Sequence, residues 1–259
     1  MFLSVLVLTC LAAWATAQQQ PPSTNEPTEI AKQYADSFHN LGGRVLYDKV
    51  NVNEYTDGHG RKVTGPLNLV AAVNDAGSHG LNLSDANTHK QIIVDAVHSG
   101  YLSTTNEIDS EGFYVLVAGN DVRDSNFCNT NCGYNYNGDQ FQYMYIGYPG
   151  QCPDRCVPTL LRETSPNNNP AIDAAITIFS HELQDILTNP QGDGWVIQDG
   201  QTKIELGDFC SGAGVSFEQW FGNISSTASN AKYNLAIGDD KYLVQTVFSQ
   251  KKKACVLAS

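Results

Sequence analysis

The chain has 259 residues with 27 acidic against 15 basic side chains, a formal net charge of −12. Such a charge disfavours a non-specific nucleic-acid partner or an anionic membrane, because either repels an acidic protein. No segment beyond the N-terminus is long and apolar enough to span a bilayer.

Met1 to Ala17 is an uncharged apolar run that closes on an Ala-x-Ala pattern before Gln18. It reads as a secretory signal peptide, although no basic residue follows Met1. Residues 18–27 are rich in Gln, Pro, Ser and Thr and predict a disordered leader. Residues 28–259 then form a single domain, since no further linker-like composition occurs.

Arg44 to Tyr55 alternates Val45, Tyr47, Val50 and Val52 as a strand does, and Leu67 to Val73 is an apolar run of open type. Ser84-Asp85-Ala86-Asn87 ahead of Ile92, Ile93, Ala96 and Val97 predicts a capped amphipathic helix. Phe113 to Ala118 has the composition of a buried strand, and Phe141 to Tyr148, alternating polar and aromatic, that of an edge or half-exposed one. From Ile172 an apolar face of Ala175, Ile176, Phe179, Leu183, Ile186 and Leu187 predicts a long helix ending at Thr188-Asn189-Pro190. Trp195 to Leu206 predicts a hairpin around Asp199-Gly200, and Tyr233 to Phe248 a second pair joined through Gly238-Asp239-Asp240. The order predicts an α+β domain, a mixed sheet with packed helices, similar in topology to the zincin architecture.

The chain holds seven cysteines, of which Cys10 leaves with the leader. The remaining Cys128, Cys132, Cys152, Cys156, Cys210 and Cys255 predict a disulfide-bonded protein, with the first four paired among themselves and Cys210 with Cys255. A zinc cluster of the first four is the competing reading in a reducing compartment. Sequons at Asn82 and Asn223 fit a glycosylated surface.

The long helix carries His181-Glu182-Leu183-Gln184-Asp185, and a spacing of four puts His181 and Asp185 on one face. The same spacing joins the ligands of the His-Glu-x-x-His zinc motif, whose glutamate activates water. His181 and Asp185 would supply two ligands, Glu205 or Asp208 the third, and Glu182 the general base. The oxygen-rich set suits zinc, or calcium as a structural ion; alternatively no metal binds, and His181, Glu182 and a solvated Asp185 merely close a core helix. The other histidines, His39, His59, His79, His89 and His98, show no partner spacing and read as surface or loop residues. Lys251-Lys252-Lys253 reads as a solvated turn.

Four ordered patterns resemble the phosphate-induced or exordium-like family of secreted proteins. They are Phe113-Tyr114-Val115-Leu116 leading to Asp121-Val122; Phe127-Cys128 leading to Cys132-Gly133; Gln151-Cys152-Pro153-Asp154-Arg155-Cys156; and Thr188-Asn189-Pro190 leading to Gly194-Trp195. A terminal block, Tyr233-Asn234 with Lys241-Tyr242-Leu243 and Cys255, agrees. The resemblance implies secretion to the cell wall or extracellular space and a role in growth or nutrient signalling, without an established reaction. The plant-type pattern lacks the His181-Glu182 pair, whereas other members share it with an acidic residue four positions after the histidine. The leading expectation is an extracellular protein of undetermined activity with a candidate metal site on the His181–Asp185 helix. The alternatives are a metal-dependent hydrolase of extracellular peptides using the Phe141 to Tyr148 strand, and a cell-wall or matrix binding module using Tyr134, Tyr136 and Tyr143.

Overall fold

The computed structural model describes residues 3–9 by their backbone, and residues 54–257 other than 64–66, 76, 84, 104, 138–139 and 213. The predicted leader at 18–27, the strand from Arg44 and His39 lie outside these residues. A five-stranded sheet carries the fold. Its strands are β1 (Leu3–Thr9), β2 (Asn68–Asp75), β3 (Gly112–Val117), β4 (Gly133–Asn137) and β5 (Gln142–Ile146), in the order β2-β1-β3-β5-β4. The apolar run read as a signal peptide thus includes a strand, antiparallel to both β2 and β3. β3 and β5 run parallel, and β4 closes the sheet antiparallel to β5.

Each face of the sheet is covered by a helix, which is why β3 and most of β5 are buried on both sides. Helix α1 (Ala86–His98) starts where the Asp85 carboxylate accepts from the Thr88 amide at 2.9 Å. It lays Ile92, Ile93 and Val97 against Tyr114, Leu116, Tyr143 and Tyr145. Helix α2 (Pro170–Thr188) is capped by Asn169, opens on Pro170 and buries Ile172, Ala175, Ile176, Phe179 and Leu183 against Phe113, Val115, Val117, Met144 and Ile146. It stops because Asn189 leaves helical geometry and Pro190 has no amide to continue the ladder.

Two expectations are corrected. The Phe141 to Tyr148 stretch is not an edge strand: β5 lies between β3 and β4, and Tyr143, Met144, Tyr145 and Ile146 are all buried. The alternation misled because, of the residues between the aromatics, only Gln142 is polar; Met144 and Ile146 are buried in the α2 core, while the Tyr143 hydroxyl on the other face is satisfied inside by the Ala86 carbonyl at 3.0 Å. His89 is not a surface residue either. At 1 % exposure its Nδ1 meets the Tyr134 hydroxyl at 2.5 Å, its Nε2 lies 3.1 Å from Asp124 and its ring stacks on Tyr145. That chain of polar groups pins α1 to the edge strand β4. His59 and His98 are exposed, and His79 sits on a loop beside Asp95.

Downstream, β6 (Ile197–Asp199) and β7 (Thr202–Ile204) form the expected hairpin, turning at Gly200 with φ of 59°. A single-turn helix α3 (Leu206–Phe209) follows, and the pair Leu235–Ile237 with Asp240–Tyr242 bears out the second hairpin. Lys251 to Lys253 lie exposed in the turn between Val247–Ser249 and Ala254–Val256. Disulfides join Cys128 to Cys152, Cys132 to Cys156 and Cys210 to Cys255, so the first four cysteines do pair among themselves. Among the described residues no helix is long and apolar enough to cross a membrane.

Candidate functional site

Helix α2 is apolar on most sides, but one stripe is polar and nearly all of it is buried. Thr177 donates to the Leu243 carbonyl at 2.6 Å, Ser180 accepts the Gln245 amide at 3.1 Å, and Gln184 reaches the Gln245 and Thr246 carbonyls at 3.4 and 3.3 Å. These bonds dock the extended segment from Leu243 to Thr246 along the helix. His181 and Asp185 share the stripe, and Glu182 lies beside them. One ligand atom from each of His181, Glu182 and Asp185 falls within 4.8 Å of the others.

The short helix α3 completes the cluster. His181 Nε2 lies 3.6 Å from Asp185 Oδ2 and 3.5 Å from Asp208 Oδ1. Ligands about 2.0–2.2 Å from a common tetrahedral zinc are separated by roughly 3.4 Å, a spacing that His181 Nε2 makes with each of the two carboxylates taken singly. Gly207 makes the approach feasible. Its amide donates to Asp185 Oδ1 at 2.5 Å, and a side chain there would meet both Asp185 oxygens at 2.8 and 2.9 Å and the His181 carbonyl at 2.9 Å. Glu205 is held alongside by Asn189 Nδ2 at 2.6 Å. The same Asn189 accepts the Gly194 amide at 2.7 Å, so the Thr-Asn-Pro stop with Gly194 is a clamp that returns the hairpin over the helix end.

The electrostatics follow from burial and crowding. Glu182 and Asp185 are 6 % and 2 % exposed, which overturns the reading of a helix end with a solvated Asp185. Burial pushes the Glu182 carboxyl up to about 7; His181 opposes the shift, while Asp208 and Glu205 add to it. Asp185 is raised well above the ordinary carboxylate range, again by burial first and by Glu182 and Glu205 next, against His181 and the Gly207 amide. Burial alone would lower the His181 imidazole, but the hydrogen bond to Asp208 and the charges of Glu182, Asp185 and Asp208 push it up to about 10. Asp208, half-exposed, is lowered chiefly by His181. One strong base thus sits among several carboxylates that share too little positive charge, the condition that a divalent cation relieves.

The sheet edge reaches the same place. Asn135 donates its backbone amide to the Glu182 carboxylate, and Gly133 lies so close that a side chain there would meet Ile178 at 2.5 Å and Glu182 Oε1 at 3.2 Å. Asn135 Nδ2 and Asn137 Oδ1 are buried without a hydrogen-bond partner among the described residues. The aromatic surface expected of a binding module is not formed by Tyr134, Tyr136 and Tyr143: Tyr143 is buried, and the other two are half-buried against the tyrosines of β5. The fold brings together His181, Glu182, Asp185, Glu205 and Asp208, the residues that sequence reasoning names as candidates. That reasoning misses Gly207, Gln245, Gly133 and Asn135, which carry no motif.

The chain belongs to the family defined by the phosphate-induced protein 1 conserved region, which matches residues 43–258. Among curated relatives it is similar to Protein EXORDIUM-like 3 of Arabidopsis thaliana, 27 % identical over 88 % of this chain and 74 % of the relative. Protein EXORDIUM-like 5 of the same plant is 27 % identical over 78 % of this chain, which spans 61 % of that relative's length. No solved structure matches the chain.

Proposed function

We propose that this exordium-like protein is secreted and is a metal-dependent hydrolase of extracellular peptides, with His181, Asp185 and Asp208 holding the ion, Glu205 bracing the cluster and Glu182 as general base. The observation that carries the reading is the group of His181 and the buried Glu182 and Asp185, with ligand atoms within 4.8 Å of one another, and Asp208 3.5 Å from His181 Nε2 on the open side. A bound divalent ion supplies Lewis acidity to a carbonyl and a water. An imidazole donor favours zinc over calcium, which prefers oxygen alone. Glu182, pushed up to about 7, can take a proton from an attacking water and return it to a leaving amine near neutral pH. An extended peptide adds as a strand beyond β4, which places its carbonyl next to Glu182; this edge, not β5, plays the part expected in a zincin-like arrangement.

Secretion is supported by the apolar N-terminal run and by three disulfides, and Asn82 and Asn223 are exposed as glycan acceptors must be. Removal of residues 1–17 withdraws β1 from between β2 and β3. An intact mass of the secreted chain corresponding to Gln18 onward supports the reading; a mass retaining Leu3–Thr9 contradicts it.

Zinc titration at several pH values tests the metal site. The free site holds a proton on His181 up to about pH 10, and the ion must displace it. Zinc affinity therefore rises with pH between 6 and 8, by about tenfold per pH unit for each proton released. Calorimetry in buffers of different ionisation enthalpy counts those protons. Uptake with no proton release, or none at all, removes the assignment.

A further inference from the structure

We propose that Gln245 is a positioning residue that fixes the His181 ring, Nδ1 donating to the Gln245 side chain and Nε2 left facing Asp185 and Asp208. The metal arm of its test rests on the reading above; the ring orientation does not.

The argument begins with the Gln245 amide, whose two ends have one-way partners. Trp220 Nε1 can only donate and lies 3.2 Å from Oε1, while the Gly207 carbonyl can only accept and is bonded to Nε2. These two partners settle which end of the amide is oxygen, an assignment that coordinates alone seldom make. Oε1 therefore faces His181 Nδ1 at 3.1 Å as an acceptor. An acceptor opposite Nδ1 requires a proton on Nδ1, in the neutral as in the charged ring. The Ser211 hydroxyl, 3.5 Å from the same Nδ1, is no rival: it donates to the Gly207 carbonyl at 3.1 Å.

The remaining nitrogen, Nε2, is the one 3.6 Å from Asp185 Oδ2 and 3.5 Å from Asp208 Oδ1. Gln245 itself cannot drift. It is 1 % exposed, and its backbone N–H donates to the hydroxyl of Ser180 on α2, the residue before His181. Ring orientation is thus set by the fold before any ion arrives, as it is where the second ring nitrogen of a metal-ligating histidine donates to a fixed acceptor. The Gly207 carbonyl that fixes the amide belongs to the residue whose N–H fixes Asp185, so one glycine aligns both ligands.

The test compares wild type with Gln245→Met, which keeps length but has no acceptor, and Gln245→Glu, which keeps the acceptor. The first readout is nitrogen-resolved NMR of the imidazole N–H groups in metal-free protein. Wild type and Gln245→Glu should show a protected His181 Nδ1–H, and Gln245→Met should lose it. The second readout is titration with zinc alone, expected to weaken about 10- to 100-fold in Gln245→Met and only a few-fold in Gln245→Glu. A merely structural glutamine predicts the opposite order, since methionine preserves packing and a buried carboxylate does not. A wild-type spectrum with the proton on Nε2 and a bare Nδ1 overturns the proposal without any variant. Wild type that shows Nδ1–H yet takes up no zinc upholds the positioning and sinks the metal reading.

Discussion

Glu182→Gln is expected to leave zinc uptake in place while lowering peptide turnover by about 10²- to 10⁴-fold, the usual worth of a positioned general base. Glutamine keeps the size of the side chain and accepts the Asn135 amide as before, so the edge strand stays where it is. What it lacks is a carboxylate that can hold a proton near pH 7. The metal-free variant also gives a stability signature with a definite sign. The folded Glu182 carboxyl is raised from 4.5 to about 7, so folding favours its protonated form and wild type loses that advantage as pH climbs from about 4.5 to 7. The glutamine variant pays no such penalty, and its thermal midpoint relative to wild type rises across that window. Unchanged turnover with an intact metal site would remove Glu182 from catalysis, and an unchanged difference in midpoint would show that its carboxyl is not raised.

Gly207→Ala carries the second large effect. The added carbon would sit 2.8 and 2.9 Å from the two Asp185 oxygens and 2.9 Å from the His181 carbonyl, and two of these three neighbours cannot be swung away without breaking the site. Overpacking of this kind costs about 1–3 kcal/mol. The Gly207 amide is also the donor to Asp185 and its carbonyl the acceptor for Gln245, so a displaced α3 misaligns ligands on both sides of the cluster. Chemical denaturation should show the loss, and zinc affinity should fall in the same protein. Alanine tolerated with full affinity would mean that α3 does not build the site.

Much of this arrangement is legible in the chain because it is local. The Asp85 cap, the β3 run, the α2 face and its Pro190 stop, and the Asp199-Gly200 turn each declare themselves within a window of a few residues. The His181 to Asp185 spacing is equally local, which is why the helix half of the site could be named. The rest depends on contacts far apart in sequence. Whether β4 or β5 lies at the sheet edge is decided by which strand finds no further partner, and Gly-Tyr-Asn-Tyr-Asn does not advertise that. His89 looked solitary because Asp124 and Tyr134 lie beyond an intervening strand in sequence. Gln245 and Gly207 are common residue types whose meaning comes only from meeting α2 in space.

The family relationship and the site bear on different questions. The cysteine framework and the Asn189 clamp that joins Thr-Asn-Pro to Gly194 lie within the residues that match the family. The chemistry proposed for His181 and Glu182 rests on the geometry of this chain. The central claim is therefore tested most directly by elemental mass spectrometry of the purified protein, wild type beside a folded His181→Ala variant. Near-stoichiometric zinc in wild type, lost in the variant, is the predicted result; neither zinc nor any other divalent metal in wild type after zinc loading at pH 8 would contradict it.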